Sequence, residues 1–451
     1  MTEHKKTTME SEISREPQFF PFQYHALKEH PEENIPEILS GFDPLLPSVT
    51  DAYHLESFYA EAQAPAVYQL QITITALRDI PRMFIFAGRK SMIFRDGLTA
   101  GETKTISAYV HTGDIIPRYH TDVYTMNKLF VSFAWEKSAC VPDAAPACGS
   151  DSSCAPNAGS SCSPARLADI LSFRIQMHPA SAPVIYLAGD STVTDQSSEL
   201  PYHPGACYSS WGQDLPLFTG KDCPVDNQAH CGLSTETFRQ EGHMDIILRE
   251  IKPGDYCLFQ FGHNDQKLSY LQAETGYRDN LIRFIGEIRE KQAVPVLVTP
   301  LGRNTWAEDG TYLDLLKEHS DSVKRIGREL SVPVLDLHDY SLTIYAQYGF
   351  EGSKRFFHPG DATHTNEYGS ELYAAFIARA LHACFPDLIP GAADACACLC
   401  PEENLWEQLR SQGSGGRNLT AEQKEQFDGL EKSVGDLLQR VQAAKADAAR
   451  K

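Results

Sequence analysis

The sequence predicts an α/β fold, with a parallel, doubly wound sheet in the second half of the chain and a β-sandwich domain before it. From residue 183 onward, five short apolar runs alternate with helical stretches, the pattern of parallel strands joined by helical crossovers. From about residue 20 to 178, apolar and polar residues alternate with the period of strands that bury one face. The change of period therefore predicts a domain boundary near residue 180.

The length of the chain, 451 residues, exceeds what one ordinary core accommodates, so two domains with tails are expected. We divide the chain into a disordered tail (1–20), a β-sandwich accessory domain (21–178) with a Cys-rich insertion (138–166), an α/β domain (179–389) and a polar C-terminal extension with a helix (390–451).

Strand candidates in the first domain are residues 68–75, 106–110 and 171–177, where apolar and polar side chains alternate, and the denser apolar run 129–135. Gly and Pro turns separate them, which favours a β-sandwich. We find no catalytic constellation in this half of the sequence.

Strand candidates in the second domain are short, apolar and rich in β-branched residues, as buried parallel strands are. They are residues 184–188, 223–227, 256–261, 294–299 and 332–337. Helical stretches lie between them, such as 278–292, which places its apolar residues on one face.

The charge balance of the chain argues against several partners. The formal net charge is −20, from 40 basic and 60 acidic residues. Nucleic acid and anionic membranes are therefore not expected partners, because binding to phosphates requires concentrated Lys and Arg. The first residues, MTEHKKTTMESEIS, contain no apolar core of a signal peptide, and no run of 18 apolar residues occurs. We expect a cytosolic protein with reduced thiols.

Twelve cysteines occur in the sequence, and seven of them form two clusters. Neither cluster contains the CxxC pair that is typical of zinc sites. We interpret them as incidental thiols of a surface insertion and a tail; a soft-metal site or a redox sensor is the alternative. The clusters are Cys140, Cys148, Cys154 and Cys162, and Cys396, Cys398 and Cys400.

The C-terminal extension contains one predicted helix, which a capping box at residues 420–423 opens. Its apolar residues follow the spacing of a coiled-coil seam over two heptads. The helix packs on its own protein, frays, or joins two copies into a homo-oligomer. The seam residues are Phe427, Leu430, Val434, Leu437 and Val441.

The stretch 184–196, VIYLAGDSTVTDQ, is the main candidate for chemistry. A strand that ends at Gly189 and turns into a helix start would present Ser191 at the carboxyl edge of the sheet, where open α/β proteins bind ligands. Ser191 is then a nucleophile whose oxyanion meets backbone N–H groups. The alternative is that Asp190 and Ser191 are plain helix caps.

Three further strand-end stretches carry matching residue types. Asn264 can donate its amide to an oxyanion, and Gly232 lets a backbone N–H approach the same point. Asp361 and His364 are three residues apart on one turn, so the carboxylate can fix the imidazole tautomer. His364 would then accept the proton of Ser191.

These blocks resemble those of the SGNH (GDSL) hydrolases, and within them the rhamnogalacturonan acetylesterase family. The supporting stretches are YLAGDSTVTDQ, SSWGQDLP, NQAHCGLSTETF, FGHNDQK and DATHTNEYG. The resemblance implies a flavodoxin-like, three-layer catalytic domain with Ser191, Asp361 and His364 as the catalytic set. It also implies that Ser191, Gly232 and Asn264 form the oxyanion hole. Family members usually carry Gly-Arg-Ser where this chain has Gly232-Leu233-Ser234, so the basic residue is absent here.

Trp211 and His263, near these motifs, each have two interpretations. Trp211 either stacks on a sugar ring or anchors the core under the sheet. His263 either contacts substrate or is a hydrogen-bonded loop histidine. We expect Asp195 and Gln196 to brace the nucleophile loop.

The resemblance implies a carbohydrate O-deacetylase that acts on acetylated pectin or rhamnogalacturonan oligosaccharides through an acyl-enzyme, with no metal or organic cofactor. Members of this family are typically secreted, but the first residues here contain no apolar signal core, so we expect an intracellular enzyme that acts on imported oligosaccharides. One alternative is an enzyme of the same fold that hydrolyses lipid, thioester or aryl substrates. A second alternative is a glycan-binding protein whose catalytic site is retired, although all five catalytic positions hold suitable residues.

Overall fold

Antiparallel sheets form the first part of the chain in the computed structural model, which describes residues 53–88, 90–116, 122–136, 167–195, 208–307 and 309–392. The strands and one short helix are β1 (Tyr53–Glu61), β2 (Ala66–Ala76), β3 (Ile80–Ala87), β4 (Ser91–Leu98), β5 (Thr103–Thr112), β6 (Asp114–Ile115), β7 (Tyr124–Thr125), β8 (Lys128–Glu136), α1 (Leu167–Ile170) and β9 (Leu171–Ala180).

Two of these sheets share one apolar core. Their strand orders are β1-β8-β3-β4 and β5-β2-β9, and every pairing is antiparallel. Leu70, Ile72 and Ile74 of β2 are each 0% exposed, which confirms the predicted alternation of this strand. Across the core, the rings of Phe58 and Phe173 lie 5.1 Å apart between centroids. The two sheets account for part of the β-sandwich expected for residues 21–178.

A five-stranded parallel sheet forms the centre of the second part. All its pairings are parallel, and its order β11-β10-β12-β13-β14 is that of flavodoxin-like folds. Each strand lies within one of the five predicted apolar runs or shifts from it by one residue, so the predicted α/β sheet is confirmed. The strands are β10 (Ile185–Gly189), β11 (Val225–Asn227), β12 (Tyr256–Gln260), β13 (Val294–Val298) and β14 (Val334–Leu335).

Helices cover both faces of this sheet. Alternate residues of β10 face opposite layers: Ile185 and Leu187 join one buried apolar cluster, and Tyr186 and Ala188 join another. The helix predicted at 278–292 is present. The helices are α2 (Trp211–Asp214), α3 (Pro216–Thr219), α4 (Thr235–Gln240), α5 (His243–Glu250), α6 (Gly276–Glu290), α7 (Lys317–Leu330), α8 (Leu337–Ser353, interrupted at Gly349) and α9 (Glu367–Cys384).

The two parts contact each other through direct hydrogen bonds. Tyr109 N of β5 donates to Gly220 O, which follows α3, at 2.5 Å. Asp114 N of β6 donates to Glu250 Oε1 at the end of α5 at 2.6 Å. We call this contact region between β5–β6 and the β11–α5 side of the second part the domain seam.

Among the described helices, none is long and apolar enough to cross a membrane.

Several predictions lie outside the described residues. They are the tail 1–20, the cysteines of both clusters, Gln196 and the C-terminal helix. The division of the chain at residues 178 and 389 stays a prediction. Within the described part of the chain, Cys223, Cys257 and Cys384 are free thiols.

Candidate active site

The turn after β10 places Ser191 at the carboxyl edge of the parallel sheet. A Cβ on Gly189 would lie 2.6 Å from Val193 Cγ2, so only glycine lets the chain turn this tightly. Val193 N and Thr194 N both donate to Asp190 O at 3.1 Å, and Thr192 N donates to Asp190 Oδ1 at 2.9 Å. Asp190 therefore caps this turn. The expectation that a helix begins here is wrong for residues 190–194, because these bonds close a short turn.

Ser191, His364 and Asp361 form one hydrogen-bonded chain. Ser191 Oγ lies 2.8 Å from His364 Nε2, and His364 Nδ1 lies 2.6 Å from Asp361 Oδ2. The second carboxylate oxygen, Asp361 Oδ1, accepts the backbone N–H groups of Thr363 at 2.7 Å and His364 at 2.9 Å. The structure thus brings together the three residues that the sequence proposed as a nucleophile, a base and its orienting carboxylate.

Electrostatics keep the Asp361 carboxylate ionised. Burial acts to raise the pKa of Asp361, but the hydrogen bonds and charge of His364 and the two backbone N–H groups outweigh it and lower that pKa below its usual range. An ionised Asp361 accepts the His364 Nδ1–H, which leaves Nε2 free to accept the Ser191 hydroxyl proton. The arrangement can therefore generate a serine nucleophile.

The loop that contains Gly232 meets the Asn264 loop beside this chain. Asn264 Nδ2 donates to Leu233 O at 2.9 Å, and Lys267 Nζ donates to Asn264 Oδ1 at 2.8 Å. These two bonds orient the amide, so one Nδ2–H remains for another acceptor. Gly232 has φ +85°, a conformation that glycine adopts without strain. His230 N donates to Gly189 O at 3.3 Å and ties this loop to the nucleophile strand.

His263 lies beneath the site instead of facing substrate. Its side chain is buried, with Nδ1 at 3.3 Å from Asp190 Oδ2 and Nε2 at 2.9 Å from Leu301 O. The interpretation of His263 as a substrate contact is therefore wrong, because both ring nitrogens already face protein acceptors. Burial acts to raise the pKa of Asp190, but His263 and Thr192 outweigh it and lower that pKa.

Trp211 is a core anchor, and the sugar-stacking interpretation is wrong. Its side chain is 1% exposed, and Nε1 donates to Gln260 Oε1 at 2.7 Å. The ring packs in the apolar cluster on one face of the sheet. A side chain without accessible ring surface offers no face to a sugar.

Asp195 has the bracing contact expected of it. Asn227 Nδ2 donates to Asp195 Oδ1 and to Val193 O, each at 2.8 Å. The end of β11 thereby holds the segment that follows Ser191.

Sequence reasoning missed Arg303, which joins two loops of the site. The guanidinium is buried and donates from Nη2 to His263 O at 3.1 Å and from Nη1 to Thr363 Oγ1. It therefore ties the segment before Asn264 to the turn that carries Asp361 and His364. Arg303 follows β13 at the same sheet edge as the other site residues, and this placement was the signal that could have found it.

Sequence reasoning also missed an aromatic pair beside His364. The rings of Tyr208 and His358 are stacked with centroids 3.7 Å apart and an interplanar angle of 7°. The Tyr208 ring meets the His364 ring edge-on at 5.8 Å. Ser210 Oγ, two residues after Tyr208, donates to Ser191 O at 2.7 Å and holds this segment against the nucleophile turn.

Among the described residues, one cluster of side chains could hold a metal ion: His111, Asp226 and Glu250. It shares no residue with the hydrogen-bonded chain of Ser191, His364 and Asp361.

Comparison with known proteins agrees with this geometry. Residues 187–366 match the model of the GDSL-like lipase/acylhydrolase family. The chain is 37% identical over 210 residues to rhamnogalacturonan acetylesterase RhgT of Bacillus subtilis (strain 168), covering 44% of this chain and 88% of the relative. It is 32% identical over 205 residues to the probable rhamnogalacturonan acetylesterase YesY of the same organism, covering 44% of this chain and 91% of the relative.

Among solved structures, the crystal structure of protein YxiM from Bacillus subtilis aligns with a TM-score of 0.42 at 23% identity, covering 73% of this chain and 80% of that chain. The family model spans the part of the chain that carries Ser191, Asp361 and His364. The chain belongs to the GDSL-like lipase/acylhydrolase family and is a carboxylic ester hydrolase.

Proposed function

We propose that this protein removes O-acetyl groups from acetylated rhamnogalacturonan-type oligosaccharides, with Ser191 as the nucleophile. The observation that carries the chemistry is the chain of short hydrogen bonds from Ser191 Oγ to His364 Nε2 (2.8 Å) and from His364 Nδ1 to Asp361 Oδ2 (2.6 Å). It is the arrangement that serine hydrolases of unrelated folds share.

In the first step, Ser191 Oγ attacks the acetyl carbonyl carbon while His364 Nε2 takes the hydroxyl proton. Asp361 stabilises the imidazolium that forms. The oxyanion of the tetrahedral intermediate accepts hydrogen bonds from the backbone N–H groups of Ser191 and Gly232 and from the Asn264 amide. The carbon–oxygen bond to the sugar then breaks, and His364 gives its proton to the departing sugar oxygen, which leaves as a hydroxyl.

In the second step, a water molecule replaces the sugar. His364 removes a proton from this water, and the resulting hydroxide attacks the acetyl-serine carbonyl. The same donors hold the second oxyanion. Collapse of this intermediate releases acetate, and the proton on His364 returns to Ser191 Oγ.

The substrate class rests on relatives and on the surroundings of the site. Two relatives at 37% and 32% identity carry names that specify rhamnogalacturonan acetyl esters. The Tyr208–His358 stack beside His364 offers aromatic surface of the kind that packs on sugar rings. Leu233 does not supply the basic residue usual in this family, but the exposed Lys267 ammonium beside Asn264 provides a cation for an acidic sugar.

The test is a comparison of acyl substrates with the full chain. Acetate release is measured from acetylated rhamnogalacturonan oligosaccharides and acetylated xylo-oligosaccharides, and p-nitrophenyl esters of rising chain length are hydrolysed in parallel. We expect the highest kcat/KM on the rhamnogalacturonan oligosaccharides, and loss of all these activities in Ser191→Ala. Ser107→Ala, at an exposed position of β5, is the matched control and should behave as wild type.

Each other outcome contradicts a defined part of the proposal. Faster release from xylo-oligosaccharides would overturn the substrate class. A preference for long acyl chains would favour a lipid esterase. Binding of oligosaccharide without hydrolysis of any ester would indicate a glycan-binding protein.

A further inference from the structure

Three potential metal ligands from both parts of the chain converge at the domain seam. His111 lies on β5 of the first part, and Asp226 on β11 and Glu250 at the end of α5 belong to the second. Their ligand atoms all lie within 4.8 Å of one another, and His111 Nδ1 is 2.7 Å from Asp226 Oδ2. His111 and Asp226 are each 8% exposed. His111 precedes Asp226 by 115 residues in the sequence, and Glu250 lies further along the chain. The contact between the two parts therefore brings His111 to the two carboxylates.

The contacts around these ligands leave oxygen atoms available. Glu250 Oε1 accepts Asp114 N at 2.6 Å, but Glu250 Oε2 is buried and has no hydrogen-bond partner among the described residues. Gln228 is 0% exposed, and its Nε2 donates to Asp226 Oδ1 at 2.7 Å. Its Oε1, on the same amide group next to Asp226, is also buried without a partner in the described part of the chain. Buried polar atoms in proteins are nearly always satisfied, so each of these two oxygens can accept a bond from a further group.

A glycine leaves space for the cluster. A Cβ added to Gly113 would collide with Glu250 Oε2 and lie 2.9 Å from His111 Cε1. The chain between β5 and β6 therefore passes the two side chains at a distance that only glycine permits.

The charges of the cluster also favour binding of a cation. Two carboxylates face one imidazole, and the nearby Arg249 guanidinium hydrogen-bonds to Asp114 Oδ2 at 2.5 Å. Placing carboxylates in a partly buried site is costly unless they take up a proton or a cation accompanies them.

We propose that His111, Asp226 and Glu250 bind one divalent first-row transition-metal ion, which joins the two parts of the chain at the domain seam. The ligands are one imidazole nitrogen and two carboxylate oxygens. An imidazole favours transition ions over Mg²⁺ and Ca²⁺, and carboxylate oxygens suit the Mn²⁺ to Zn²⁺ part of the series. The site is structural, because none of its residues takes part in ester hydrolysis.

The test titrates Mn²⁺ into chelator-treated full-length protein and follows the free ion by electron paramagnetic resonance. Mn²⁺ is the probe because cysteine thiolates prefer softer ions and therefore do not compete for it. We expect one ion per wild-type chain and at least a tenfold weaker affinity in Glu250→Gln. Glu287→Gln is the matched control and should bind Mn²⁺ as the wild type does. Glu287 is a partly exposed carboxylate on α6 that pairs with Arg239 of α4 and Arg283 of α6.

A second measurement follows thermal unfolding with and without Mn²⁺. A ligand that binds only the folded state raises the melting temperature with its concentration. At the same Mn²⁺ concentration, the midpoints of the wild type and of Glu287→Gln should therefore rise further than that of Glu250→Gln. If Glu250→Gln does not fold, Asp226→Asn is compared in the same two assays. Absence of Mn²⁺ binding by the wild type would overturn the proposal, as would binding that the substitutions at Glu250 and Asp226 leave unchanged.

Discussion

Asp361→Asn is the substitution that tests the proposed catalytic chain most finely, because it changes one atom and preserves shape. In the wild type, Asp361 Oδ1 accepts two backbone N–H groups at 2.7 and 2.9 Å, and Oδ2 accepts His364 Nδ1–H at 2.6 Å. An amide at this position must turn its oxygen toward the two backbone donors, because the opposite orientation would place its NH₂ group against them. The NH₂ group therefore faces His364 Nδ1.

The consequence is the wrong imidazole tautomer. A donor opposite Nδ1 forces the proton of a neutral His364 onto Nε2, which then cannot accept the proton of Ser191. The opposite amide orientation forfeits two hydrogen bonds of about 1 kcal/mol each, so it is populated in only a few per cent of molecules by this order-of-magnitude argument. In a serine protease the same substitution lowers kcat about 10⁴-fold, and we expect a loss of this order here, about 5.4 kcal/mol in the barrier.

The assay is steady-state hydrolysis of p-nitrophenyl acetate at neutral pH, with the unfolding midpoint as a check that the fold is intact. Asp314→Asn is the matched control, because Asp314 Oδ2 pairs with His338 Nε2 at 3.0 Å outside the proposed catalytic chain. We expect near wild-type kcat from this control. A loss of less than about tenfold in folded Asp361→Asn would refute the tautomer argument.

Three further substitutions separate the other roles. Asn264→Ala should lower kcat about 10²–10³-fold with KM little changed, since the amide acts on the oxyanion; a change confined to KM in steady-state kinetics would contradict this. Trp211→Phe leaves the buried Gln260 Oε1 without its donor and should lower the free energy of unfolding by about 1–3 kcal/mol in urea titrations. A raised KM at unchanged stability would instead place Trp211 in the cleft. Burial raises the pKa of Asp265 to about 6, although the hydrogen bonds from Thr235 act to lower it. Ionisation of Asp265 therefore destabilises the folded state increasingly as the pH rises from about 4 to about 6, and this loss of stability is complete above pH 6. Asp265→Asn should therefore be up to about 3 kcal/mol more stable than wild type at pH 7.5 and equally stable near pH 4, and pH-independent differences in urea midpoints would contradict this account.

The sequence predicted the parallel sheet and the Ser191, Asp361 and His364 arrangement because both depend on local signals. Short apolar runs define the strands, and the carboxyl ends of parallel strands meet at one edge, so polar residues placed just after them converge. The contact between Asp361 and His364 is itself local, because the two residues are only three positions apart on one turn.

The errors concern side chains whose direction depends on contacts distant in sequence. Trp211 follows a site segment, but a Cβ at the next residue, Gly212, would collide with Val193 O. This close approach of α2 to the nucleophile turn directs the indole into the core. A four-residue helix is too short for its hydrophobic periodicity to predict which side chain faces the core. His263 is drawn under the site by Asp190, which lies 73 residues earlier.

The Tyr208–His358 stack was missed for the same physical reason. Its partners are 150 residues apart, and neither residue belongs to a recognisable pattern. The His111–Asp226–Glu250 cluster likewise depends on how the two parts of the chain meet, which periodicity and motif spacing do not encode.

The central claim is that Ser191 forms the acyl-enzyme, and covalent labelling tests it most directly. The wild-type chain is inactivated with diethyl p-nitrophenyl phosphate, which reacts with activated serines, and the modified peptide is identified by mass spectrometry. We predict one diethylphosphoryl group per chain, on Ser191, with loss of esterase activity in step with labelling and no label in Ser191→Ala. Labelling of a different residue, or esterase turnover by folded Ser191→Ala at the wild-type rate, would contradict the account.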